Sequence, residues 1–149
     1  MLSAWSEFYS NSTVWRTVIQ FLHLGGLLVG AGCAIAADRI ALQAKPGDAR
    51  TIEILEGTHR VVIAGLAAMF VSGALMVAAD FDHFVTSKWF WTKLGLIVVL
   101  LGNGVRLSLA EQAAREGHPS GWPRLRSASL ASLVLWVLVT LFGAILPNV

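Results

Sequence analysis

Two ionisable side chains fall inside long apolar runs: His23 in FLHLGGLLVGAG and Lys93 in FWTKLGLIVVLLGNG. A titratable group at bilayer depth is costly, so each marks a functional candidate. Counting from a run that opens near Val14, His23 lies about 13 Å down a helix of ~1.5 Å rise, close to mid-membrane. An imidazole there can ligate iron, relay a proton, contact a quinone, or simply bridge two helices. Lys93 sits about one turn below the outer end of its run. Its ammonium can snorkel to the surface or stand beside a cofactor or substrate.

The remaining histidines lie at other depths. His59 precedes the second apolar run, His83 falls in a short polar segment, and His118 sits beside Pro119 and reads as solvated. His23 and His59 differ too much in helical rise to share one iron. A haem on His23 would then be five-coordinate or take an unusual second ligand. Asp80, Asp82 and His83 are too few to define a metal site. A second polar group is expected where three runs end: Asp38, Arg39, His59, Arg60, Asn103 and Arg106. Its arginines suit an anion, a lipid headgroup or a porphyrin propionate, or they serve as anchors with internal salt bridges. Asn103 falls inside its run and must find a partner there.

The elements that carry these residues follow from composition. Of the 149 residues, 56% are hydrophobic and 13% charged, and mean hydropathy is +0.68. Soluble domains carry roughly 25% charged residues, so lipid is the expected solvent. Four runs, about 14–37, 61–79, 89–106 and 128–146, can each cross a hydrocarbon layer of about 30 Å as helices. The expectation is an all-α, four-transmembrane-helix bundle, with residues 1–149 as one integral membrane domain. The Lys and Arg residues set its orientation. The segment 38–60 holds Arg39, Lys45, Arg50 and Arg60, and 106–127 holds Arg106, Arg115, Arg124 and Arg126. The outer segments hold little beyond Arg16 and Lys88, and the tail Pro147–Val149 has none. Positive loops face the cytoplasm, which places both termini on the non-cytoplasmic side. Trp5, Trp15, Trp89 and Trp91 read as interface anchors at the outer ends, and Trp122 as part of an inner loop.

Met1–Thr13 has no Lys or Arg and contains Glu7, so a signal peptide is not expected. The single Cys33 reads as a small core residue. Gly26 and Gly30, flanked by Gly25 and Gly32, suit close helix packing with the second run, which carries Gly65 and Gly73. They also suit a flat cofactor beside His23. No nucleotide-binding, zinc-hydrolase or CxxC motif occurs. No basic patch with interleaved aromatics points to nucleic acid.

Three stretches carry a family resemblance: FLHLGGLLVGAG with Asp38-Arg39 at its end, HRVVIAGLAAMFVSGALMVAAD from His59, and FWTKLGLIVVLLGNG. Together they resemble small bacterial inner-membrane proteins of the copper-resistance D and HemJ-type protoporphyrinogen oxidase group. The resemblance implies a four-helix fold with a b-type haem, and porphyrinogen oxidation. It implies a haem-ligating role for His23 and a catalytic role for Lys93. The glycines Gly26 and Gly30 and the polar set Arg39, His59, Arg60, Asn103 and Arg106 are then the expected cofactor-binding residues. Two other functions fit the same sequence. One is an accessory subunit packed in a larger membrane complex, or in a homo-oligomer. The other is transport of copper or a small solute, which three methionines supply only thinly with soft ligands.

Overall fold

The computed structural model describes residues 2–146. They form six helices: α1 Leu2–Asn11, α2 Thr13–Gln43, α3 Ala49–Ala79, α4 Phe81–Thr86, α5 Lys88–Arg115 and α6 Gly121–Ile145. No strand occurs among the described residues. The protein is all-α, and α2, α3, α5 and α6 are long and apolar enough to cross a membrane. A helix satisfies its own backbone groups, the condition for standing in lipid.

Local chemistry places the breaks. Pro46 has no N–H to continue α2, and Gly47 turns the chain at φ +87°. Asp48 then caps α3: its carboxylate accepts from the Arg50 and Thr51 amides at 3.1 and 3.3 Å and from the Thr51 hydroxyl at 2.8 Å. These bonds favour the ionised form, and the Thr51 hydroxyl contributes most in holding the Asp48 carboxyl below its ordinary pKa. Gly117, at φ +76°, turns the chain between α5 and α6. Ser12 caps α2 by accepting from the Trp15 amide.

The bundle is two antiparallel hairpins, α2–α3 and α5–α6, joined through the face of α2 on α6, while α3 and α5 hardly touch. Arg126 of α6 also ties the hairpins by donating to the Ala44 carbonyl at 2.7 Å, at the end of α2. At the opposite end α1 lies against α3, and the Trp5 indole N–H donates to the Leu75 carbonyl at 3.0 Å.

All four long helices run well past the apolar limits expected from sequence. α2 continues to Gln43, α3 begins at Ala49, and α6 begins at Gly121; α5 continues to Arg115. The expected loops 38–60 and 106–127 are therefore mostly helical. The reason is a second apolar core at this end, in which Ala41, Ala44, Ile52, Leu55, Ala114, Trp122 and Leu125 are buried together. Trp122 belongs to that core at 7% exposure and is no surface anchor. The mid-bundle core gathers Ala31, Ala34, Leu100, Trp136 and Val139. The tail Pro147–Val149 lies outside the described residues.

Candidate functional site

His23 of α2 reaches across to α3, where its Nδ1 lies 3.1 Å from the Met69 carbonyl and 3.0 Å from Ser72 Oγ. A carbonyl only accepts, so Nδ1 carries the proton. Ser72 spends its own hydroxyl proton on the Ala68 carbonyl at 2.6 Å and is left as a second acceptor. The tautomer is thereby set, and the lone pair falls on Nε2, which has no hydrogen-bond partner among the described residues. Gly73 stands beside the ring: a Cβ there would lie 3.4 Å from Cε1.

Lys93 of α5 turns into the bundle. Its Nζ packs on Gly143 of α6, where a Cβ would lie 3.3 Å away. The side chain is half-buried, with no hydrogen bond or ion pair among the described residues. It is close enough to His23 for the two groups to interact electrostatically. Helix packing therefore sets the two ionisable residues of the apolar runs within electrostatic range of each other, beside Gly73 and Gly143.

The expected glycine cradle is corrected. Gly26 and Gly30 are buried against α3, not beside an open space. A Cβ on Gly65 would sit 2.5 Å from the Gly30 Cα and 2.8 Å from the Gly26 carbonyl oxygen. The backbones of α2 and α3 already fill the room those glycines leave, and no flat ring passes between them.

The expected polar rim is divided by the structure. Arg39, Arg60 and Arg106 are exposed and make no hydrogen bond or ion pair among the described residues. They point away from one another's neighbours because they occupy the outer faces of α2, α3 and α5. Asp38, His59 and Asn103 face inward and line one cleft of about 290 Å³, together with Glu111 of α5 and Ser132 of α6. The cleft lies where α3 and α5 fail to meet.

Within it, Asp38 is 1% exposed and Asn103 4%. Asn103 donates to the Ala128 carbonyl at 2.9 Å, but its Oδ1 and Asp38 Oδ2 are buried without partners. Ser129 and Ser132 face the Asp38 carboxyl, yet the Ser129 hydroxyl is itself unpaired. His59 is held on both sides, with Nδ1 3.5 Å from Glu111 Oε2 and Nε2 3.2 Å from Ser108 Oγ. Asp38 and Glu111 feel one another's charge. Two carboxyl groups lining one apolar-walled cleft favour a shared positive charge nearby.

Glu111, Ser129 and Ser132 were missed by the sequence reading. Glu111 carried a signal: Asn103, Leu107, Ala110/Glu111 and Ala114 keep a helical spacing past Arg106, continuing one inward face. The exposed His83 and His118 join neither site. No group of three metal-binding side chains occurs among the described residues.

A b-type haem is partly matched by this arrangement. A ligating histidine normally donates its other ring N–H to a carbonyl or carboxylate; the His23 Nδ1–H does so to the Met69 carbonyl, and Gly73 and Gly143 stand beside the His23 ring and the Lys93 ammonium. Arg39, His59, Arg60, Asn103 and Arg106 lie farther along the bundle, roughly 14 Å or more along their helices from His23, Met69 and Lys93, and do not join His23 in one site. Comparison of the chain with protein-family models, curated proteins and solved structures finds no match.

Proposed function

We propose that this chain is a multi-pass protein of the bacterial inner membrane that holds a b-type haem on His23, with Lys93 as the charged neighbour of cofactor or substrate. The convergence of His23 and Lys93 inside an otherwise apolar bundle carries the reading. His23 would ligate through Nε2, and the Met69 carbonyl holds the ring in the tautomer that frees this nitrogen. Lys93 brings an amine into low dielectric, where it would meet a propionate or the carboxylates of a porphyrinogen. When bound, the haem supplies one-electron chemistry. The resemblance to HemJ-type proteins adds porphyrinogen oxidation as the reaction class. The basic residues of 38–60 and 106–127 support a cytoplasmic position for that end, with both termini outside.

The test is a pyridine haemochrome spectrum on purified protein beside His23→Ala and Lys93→Met. We expect a Soret band in the parent, its loss in His23→Ala, and retention with lowered porphyrinogen turnover in Lys93→Met. A colourless parent protein ends the reading. A second reading, as an accessory subunit or a homo-oligomer, draws on Gly32, Gly95 and Gly102, whose outer faces have nothing within 4 Å. Co-purification of another chain, or of a second copy, would favour it.

A further inference from the structure

The cleft between α3 and α5 has a use separate from His23. Its walls are apolar, chiefly Val62, Ile63, Leu66, Leu100, Leu101 and Val105. Ile63 and Val105 are 60% and 62% exposed, so these walls open onto the surface where lipid would lie. Trp136, 3% exposed, forms an aromatic back wall. The polar groups gather at one end. Asp38 lies about 37 Å along α2 from Thr13, against a hydrocarbon layer of about 30 Å. The polar end thus reaches headgroup depth while Leu66 and Leu100 stay among the acyl chains.

The unmet hydrogen bonds define the occupant. Of the three unpartnered buried side-chain oxygens, Ser129 Oγ lies outside the cleft lining, while Asp38 Oδ2 and the Asn103 carbonyl oxygen Oδ1 belong to it and offer lone pairs. A buried acceptor without a donor is costly. His59 Nδ1 lies 3.5 Å from Glu111 Oε2 beside them, so a basic side chain already stands against the neighbouring carboxyl. What is lacking is a neutral donor on a flat apolar body. The space, about 290 Å³, takes a ring with small substituents and leaves a long tail no room except outward between α3 and α5.

We propose that this cleft binds the hydroxylated ring of a membrane quinol. The ring lies along Trp136, its hydroxyls donate to Asp38 and Asn103, and its tail leaves into the bilayer between α3 and α5. The site belongs to the full chain in a membrane and does not depend on haem at His23.

The experiment uses the protein in lipid nanodiscs with a decyl-tailed azidophenol as photoaffinity probe. Decylhydroquinone, dodecylamine and dodecyl methyl ether serve as competitors. We expect cross-links to concentrate on residues 55–66 and 100–108. Decylhydroquinone should suppress them, and the amine and the ether should not. Asp38→Asn, which sets a donor-bearing amide where a pure acceptor stands, should cut labelling about tenfold. Ile63→Trp should do the same by filling the mouth from a lipid-facing position that no core packing depends on. Labelling spread over all four long helices would overturn the proposal. So would competition by the amine or ether equal to that of the hydroquinone, or labelling indifferent to Ile63→Trp. His23→Ala should label as the parent does; a colourless protein that still labels sinks the haem reading alone.

Discussion

Asp48 shows how one side chain can set a helix and a pH dependence together. It accepts three hydrogen bonds from Arg50 and Thr51, and these lower its pKa from the ordinary 3.8. A carboxylate whose pKa is depressed by folding contributes stability that is present above 3.8 and lost as pH falls below that value through the folded pKa. The thermal midpoint of the parent should therefore drop as the solution is acidified from pH 5 toward pH 3, by more than that of Asp48→Asn, which has no proton to take up. Parallel curves for the two proteins would remove Asp48 as the source. His23 illustrates a different lesson. Its identity as a buried ionisable group is plain from FLHLGG, but its tautomer comes from Met69 and Ser72, which lie on another helix.

The crossing of α2 on α3 rests on glycine. Gly26, Gly30 and Gly65 meet backbone to backbone, and the obstacle to a Cβ on Gly65 is Gly30 main chain, which cannot rotate away. Gly65→Leu should destabilise the bundle by on the order of 3 kcal/mol through overpacking. The check is thermal unfolding in detergent, with the open Gly102→Leu as the comparison; equal midpoints would deny the crossing its role. The pairing of Gly26 with Gly30 is visible in sequence as a small-residue motif. Its partner is not, because Gly65 and Gly73 present the same residue type and only the crossing angle selects between them. The structure gives Gly65 to helix packing and leaves Gly73 beside the His23 ring.

The assembled molecule has two unlike ends. One carries α1 and the His23–Lys93 pair; the other carries the lateral cleft, its acidic and histidine cluster, and a ring of exposed arginines. The charge asymmetry orients the whole bundle if the positive residues stay in the cytoplasm. In a Cys33→Ser background, Lys45→Cys should react with a membrane-impermeant maleimide only after inside-out vesicles are prepared. Asp82→Cys should react from the outside of intact spheroplasts. The reverse pattern would invert the topology and put the quinol cleft in the outer leaflet. The same asymmetry explains why the expected single site is two: the distance along α2 between His23 and Asp38 is too large for one cofactor to bridge.

Composition and hydropathy alone determine that this protein has four helices able to cross a membrane, because burying so many apolar residues among so few charges requires lipid. They also determine which ionisable residues stand in the apolar runs. Tertiary structure decides the rest, since a one-dimensional run says nothing about which helix faces which. Packing drew Asp38 and His59 away from Arg39 and Arg60, although they are neighbours in sequence, because adjacent residues on a helix point to different faces. It brought in Glu111 from a stretch that reads as loop, because a second apolar core keeps α5 helical beyond the expected membrane edge. It also left α3 and α5 apart, and that gap, which no residue pattern announces, holds the unpaired oxygens of Asp38 and Asn103.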